Sequence, residues 1–119
     1  MDKQQFEQEY GILSDKLDEI RQQEKNARND IKKLKQDYIN TFPFKVDDCV
    51  KINQKPLRAT DQPRVMEKGW IKEIKVMVFG EDAEIILIVD KPKKNGTRSL
   101  IGAERFYNIK LDEVEVINK

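Results

Sequence analysis

The feature that most constrains the fold is a heptad repeat between Phe6 and Tyr38. Its positions alternate in steps of four and three residues when Glu24 is counted as one of them. The apolar members are Phe6, Tyr10, Leu13, Leu17, Ile20, Ala27, Ile31, Leu34 and Tyr38. This spacing is typical of a helix with one narrow apolar stripe, as in a coiled coil. We call these residues, together with Glu24, the seam.

The segment that carries the seam is predicted to be one continuous helix over residues 3–40. It contains no proline and only one glycine, Gly11, and most of its other residues are adequate helix formers. Pro43 cannot continue a helix, and it restricts Phe42 to extended backbone geometry. At 1.5 Å per residue, such a helix would be about 50 Å long.

A stripe this narrow cannot cover a globular core, so the helix is expected to need a second helix. The sequence offers no other long helical segment, which favours a homo-oligomer or the helix of a partner protein. A parallel dimer would place Glu24 against Glu24, and two like charges would be buried. An antiparallel register in which facing residue numbers sum to 44 places Glu24 beside Ile20 instead. Its flanking charges give two attractive pairs and one repulsive pair, so the preference for this orientation is slight. A helix that folds back on the rest of the chain is the alternative.

Residues 42–119 have a different pattern, with short β-type runs separated by turns. The run around Val50 alternates apolar and polar residues, Gly69–Phe79 and Ala83–Lys91 follow, and Asn95-Gly96 is a strong hairpin signal. A bulge is expected near Lys72. The sequence therefore predicts an α+β protein with a coiled-coil helix in residues 1–41 and a β domain in residues 42–119.

The β pattern resembles a small SH3-like barrel of the KOW or translation-protein type. The resemblance rests on five short strands, a long first loop, the opening FKVDDCVKI, the Gly69-Trp70-Ile71 entry to the second strand and the closing DEVEVI. Asp47 departs from the pattern, because such domains usually have glycine there. The resemblance implies a five-stranded antiparallel barrel that binds protein or RNA and that has no enzymatic activity.

The composition gives no support for catalysis or for a metal site. The chain has one cysteine and no histidine, and it lacks a glycine-rich phosphate loop and a nucleophile motif. Charged residues make up 38% of the chain, against about 25% in an average domain, but they nearly cancel to a net charge of +1. We therefore expect no enzyme, no catalytic residue and no cofactor. No apolar run is long enough for a signal region or a membrane span, so a cytoplasmic protein without a membrane partner is expected.

Basic residues cluster around the Asn95-Gly96 turn and in the loop before the second strand. The candidate nucleic-acid-binding residues are Lys55, Arg58, Arg64, Lys91, Lys93, Lys94 and Arg98. Such charges can contact phosphates, and Phe106 or Tyr107 could stack on unpaired bases. Charged residues at a hairpin tip are also ordinary solvent-facing residues, and lysines protect strand edges from aggregation.

These observations predict a non-enzymatic interaction protein. The helix is expected to set the oligomeric state or to dock on a partner helix, and the barrel is expected to bind a protein ligand. Two alternatives remain at the level of the sequence. The first is a nucleic-acid-binding protein that uses the basic hairpin and loop, and the second is a small inhibitor or accessory factor of a larger complex.

Overall fold

The computed structural model describes residues 1–56 and 58–117. One long helix precedes five strands and a single turn of 3-10 helix, η1, so the predicted α+β class and the long N-terminal helix are confirmed. The elements are α1 (Lys3–Ile39), β1 (Cys49–Gln54), β2 (Arg64–Phe79), β3 (Asp82–Asp90), β4 (Glu104–Phe106), η1 (Leu111–Glu113) and β5 (Val114–Val116). Within these described ranges, no helix combines the length and the apolar character that crossing a membrane requires.

Both ends of α1 follow from the local sequence. The Asp2 carboxylate accepts a hydrogen bond from the backbone N–H of Gln5 at 2.8 Å, which caps an otherwise unpaired donor of the first turn. At the other end, the Thr41 hydroxyl donates to the carbonyl of Tyr38 at 2.6 Å. Pro43 follows two residues later and prevents continuation of the helix.

The chain divides into two compact units, a helical unit of Met1–Asp37 and a β unit that begins at Tyr38. The β unit includes the last residues of α1, because the Tyr38 ring packs edge-on against Phe42 at 4.8 Å and Phe42 lies 5.6 Å from Phe44. Ile39 also packs against the core of the β unit. The expected boundary between residues 41 and 42 therefore falls inside an aromatic cluster.

The five strands form one antiparallel sheet in the order β4-β3-β2-β1-β5. β2 is long enough to pair with β1 along its first part and with β3 along its second part. Its register shifts between Ile71 and Glu73, so the bulge expected near Lys72 is confirmed. In the described residues no backbone ladder joins β4 to β5, so the hydrogen bonds define an open sheet with these two short strands at its edges.

The core of the β unit lies on one face of this sheet. Its fully or nearly fully buried members include Phe44, Val50, Ile52, Ile71, Leu87, Val89, Phe106 and Ile109. β3 is buried along most of its length, as its unbroken apolar run indicates. Ile85, Leu87 and Val89 belong to the core on one face of the sheet, whereas Ile86 and Ile88, on the opposite face, are buried outside that cluster.

The segment after the Asn95-Gly96 turn differs from the sequence expectation. A small hairpin forms, with an isolated bridge between Pro92 and Arg98, but β4 begins only at Glu104. Between them the chain leaves the sheet, and Leu100 and Ile101 are strongly exposed. Gly102 adopts a φ of 79° there, a left-handed conformation that interrupts an extended strand.

Candidate interaction surfaces

The seam forms an exposed apolar stripe along α1. No residue of the helix is buried, and the large seam side chains range from 43% exposed at Tyr38 to 70% exposed at Leu34. Monomeric proteins rarely leave a continuous apolar surface of this length in water. Packing of a second helix against this stripe would therefore be strongly favourable.

Glu24, the one charged residue of the seam, has a partner in its own helix. Its carboxylate binds the guanidinium of Arg28, one turn further along the helix. Both side chains are more than half exposed, so this contact costs little desolvation and contributes little stability in the isolated chain. Its effect is to neutralise the charge that would otherwise oppose burial of the seam.

Arg98, at the base of the basic hairpin, forms hydrogen bonds with two acids, one nearby in the chain and one far from it in the chain. Its Nε donates to Asp90 Oδ2 at 2.8 Å, and its Nη1 donates to Asp47 Oδ1 at 2.8 Å. Asp90 is 1% exposed, and its second oxygen, Oδ1, has no hydrogen-bond partner among residues 1–56 and 58–117. The hydrogen bond to Asp47, and to a smaller extent the interactions with Asp90, raise the pKa of Arg98. This cation therefore stabilises the hairpin base through internal contacts.

Asp47 reaches Arg98 from an unusual backbone conformation. Its φ is 75°, in the left-handed region that glycine adopts most easily and aspartate tolerates better than most residues. Its backbone N–H donates to the carbonyl of Ile71 at 2.7 Å, which ties the entry of β1 to β2. Aspartate thus adopts the left-handed backbone conformation that glycine adopts most easily, and its side chain adds an ion pair with Arg98.

Glu104 brings together two more of the predicted basic residues. Its carboxylate lies 3.3 Å from the Lys91 amine and 3.6 Å from the Arg64 guanidinium. Arg64 also stacks over the ring of Phe106 at 4.3 Å and donates to the carbonyl of Arg105. Phe106 is 1% exposed, so it is unavailable for base stacking, whereas Tyr107 is half exposed.

The other four predicted basic residues are exposed and have no ion pair in the part of the chain that the structure describes. They are Lys55, Arg58, Lys93 and Lys94. The sequence missed Lys68, whose amine lies 5.2 Å from the Trp70 ring centre and 3.4 Å from the carbonyl of Gly96. No local pattern could have shown the contact with Gly96, because it depends on how the hairpin folds beside β2.

A cavity of about 330 Å³ lies beside the loop that connects β1 to β2. It is lined by Gln54, Lys55, Pro56, Asp61, Gln62, Arg64 and Tyr107. One wall is fixed by Gln54, which is buried and donates to the carbonyl of Tyr107 at 2.7 Å. Behind it, the buried Glu113 carboxylate accepts hydrogen bonds from the backbone N–H groups of Lys55 and Lys110. The sequence identified the loop and Tyr107 separately but gave no signal that they line one cavity.

Residues 1–56 and 58–117 contain no group of three or more acidic or cysteine side chains that could hold a metal ion. Comparison with protein-family models, with curated proteins and with solved structures finds no match for this chain.

Proposed function

We propose that this chain is a non-enzymatic interaction protein that self-associates through the seam of α1 and presents its β unit to a protein ligand. The single observation that carries this proposal is the seam itself. Its apolar positions run along a helix in which no residue is buried. Burial of each large apolar side chain contributes about 1.5–3 kcal/mol, so a second helix would stabilise this surface strongly.

The β unit supplies the recognition surface in this proposal. Five antiparallel strands agree with the SH3-like resemblance, and the cavity beside the β1–β2 loop combines apolar and polar lining groups held by buried side chains. Exposed Leu100 and Ile101 offer a second apolar contact on the same unit. Ligand sites commonly combine an apolar surface with a few fixed polar groups of this kind.

Nucleic-acid binding is the second candidate function. It is favoured by one observation, that Lys93 and Lys94 project from the hairpin without an acidic partner in the described residues. Against it, Arg64, Lys91 and Arg98 already contact acids within the β unit. Fewer cations are therefore available for phosphates than the sequence indicates.

Multi-angle light scattering of the full chain at micromolar concentrations tests the proposed self-association. We expect a mass that is a multiple of 14.0 kDa and that falls towards one chain on dilution. A mass of one chain across the whole concentration range would overturn the proposal.

A further inference from the structure

We propose that the second helix is another copy of this chain, antiparallel to the first, in the register where facing residue numbers sum to 44. The inference rests on the proposed function, because it specifies the partner and the orientation of the same seam. Its basis is the symmetry of the seam about residue 22, the internal pairing of Glu24 and the charges that flank the stripe.

The ten seam positions pair completely in this register. In an antiparallel coiled coil, each layer contains one a position and one d position of the heptad. The alternating steps of four and three residues place an a position opposite a d position in every layer of this register. The layers join Phe6 with Tyr38, Tyr10 with Leu34, Leu13 with Ile31, Leu17 with Ala27 and Ile20 with Glu24. The small side chain of Ala27 thus faces a large leucine, which evens the volume of that layer.

Glu24 is the residue that opposes a parallel arrangement. In a parallel pair two Glu24 carboxylates would share one layer, and their repulsion would add to the desolvation of both charges. In the antiparallel register Glu24 lies beside Ile20, and Arg28 of its own helix already binds its carboxylate. Arg21 of the second copy lies on the same edge, one residue further along the axis. Each Glu24 carboxylate is therefore near two arginines, Arg28 of its own helix and Arg21 of the second copy. The two carboxylates offset the repulsion between the two Arg21 side chains, which approach each other across the symmetry axis.

Charges beside the seam also favour the antiparallel orientation. The antiparallel register joins Lys16 with Asp30 and Glu7 with Lys35, which attract, and Glu9 with Asp37, which repel. Each of these pairs occurs twice by symmetry, and the Arg21 pair on the axis adds one repulsive contact. A parallel pair would instead join residues five apart, so that Lys16 would face Arg21 and only Asp30 with Lys35 would attract. In the antiparallel register the attractive charge pairs outnumber the repulsive ones. Of the two orientations, it is also the one in which the two Glu24 carboxylates do not share a layer.

The orientation determines how the assembly presents its ligand sites. Each β unit continues from the end of a helix, and in an antiparallel pair those two ends lie about 50 Å apart. One assembly would thus carry two copies of the β unit, whose chain segments begin about 50 Å apart. Such a bivalent protein can link two ligand molecules.

Site-specific crosslinking distinguishes the orientations. Cys49 is buried, and Cys49→Ala removes the native thiol so that only introduced cysteines react. We would prepare Leu13→Cys and Ile31→Cys separately in this background, mix them, and add a short bifunctional thiol reagent. In the proposed register, position 13 faces position 31, whereas two copies of position 13 lie roughly 27 Å apart along the axis. We expect crosslinked dimers from the mixture and almost none from either variant alone.

The other outcomes each overturn a defined part of the proposal. Crosslinking of Leu13→Cys to itself would establish a parallel pair, which refutes the orientation but leaves self-association intact. Dimers by light scattering that crosslink in neither arrangement would refute the register. A single-chain mass for the native protein would refute the proposed function together with this inference.

A charge reversal tests the orientation without cysteines. In the antiparallel register Lys16→Glu faces Asp30, so we expect the dimer Kd to increase roughly tenfold, and adding Asp30→Lys should restore it. In a parallel pair Lys16→Glu would face Arg21 and strengthen association. A Kd that decreases in the single variant would therefore overturn the proposal, and circular dichroism would check that helicity is unchanged.

Discussion

Arg98 is the residue whose surroundings most change its expected role. The sequence places it in a basic hairpin, whereas the structure shows it between Asp90 and Asp47. Asp90 is almost fully buried, and Arg98 is the cation that contacts its carboxylate. A buried carboxylate without its cation is far more costly than an exposed one.

We expect Arg98→Ala to lower the free energy of unfolding by about 3 kcal/mol, because it leaves Asp90 buried and unpaired. Asp90→Asn removes the buried charge, so Arg98→Ala should cost much less in that background. Urea denaturation of the two single variants and the double variant measures this coupling. Additive losses would show that the ion pair does not stabilise the hairpin base.

Gly69 lies where β2 passes closely over its neighbours. A Cβ at this position would lie 2.5 Å from Met66 Sδ and 2.5 Å from Val89 Cγ1, and Val89 is fully buried. We expect Gly69→Ala to destabilise the β unit by about 1–3 kcal/mol through overpacking. Gly11→Ala is the matched control: apart from its chain neighbours and the backbone of its own helix, no atom of the described residues lies within 4 Å of the added Cβ, and the change should raise helicity. Thermal melts followed by circular dichroism separate the two effects, and an unchanged melt for Gly69→Ala would contradict the close packing.

At the scale of elements, the β sheet has a core of its own, whereas α1 buries none of its residues within the chain. The helix has no buried residue, while β1, β2 and β3 each contribute several buried side chains. A change in the seam should therefore act on association first, and on helicity only as a consequence.

Leu17→Asp should dissociate the proposed helix pair. Losing two buried leucines, one in each copy, costs about 4 kcal/mol, which raises the Kd roughly a thousandfold before the buried charges are counted. Asn29→Asp adds the same charge on the outer face of the helix and should leave the mass unchanged. Light scattering of both variants checks this, and equal masses would show that the seam is not the interface.

The basic hairpin gives a separate test for nucleic acid. If it binds phosphates, affinity must fall steeply with salt, and replacing Lys93 and Lys94 with alanine should flatten the slope by about one unit per lost contact. The folded structure should persist, because both residues are exposed. Fluorescence anisotropy with single-stranded and duplex oligonucleotides at two salt concentrations measures this. The absence of binding at low salt would eliminate this second candidate function.

At the scale of the whole molecule, the division into two units predicts that the β unit folds without most of the helix. A fragment that begins at Tyr38 keeps Ile39 and Phe42, which pack on the core. We expect it to unfold cooperatively with a β-type circular dichroism spectrum. A fragment that begins at Pro43 lacks the buried Phe42, and loss of such a side chain costs about 3–5 kcal/mol, a large part of a typical domain stability. Equal melting temperatures would show that the aromatic cluster does not support the core.

The helix, its C-terminal end and the positions of the seam could be predicted from the sequence because their determinants are local. Steps of three and four residues define one helix face whatever the rest of the chain does, and Pro43 acts within a turn of its own position. β2 from Gly69 onwards, with its bulge, and β3 were also predictable, because runs of apolar residues lie within each strand. Residues 64–68 of β2 were not predicted, because they form a strand by pairing with β1.

Only the tertiary structure decided where β4 begins, which cations are paired and where the cavity lies. Arg98 with Asp47, Arg64 with Glu104, and Gln54 with Tyr107 are each contacts between residues far apart in the chain. Such contacts depend on the path of the whole chain, so no periodicity in neighbouring residues records them. The sequence therefore identified a basic cluster, and the fold determined that three of its seven members contact acids of the same unit.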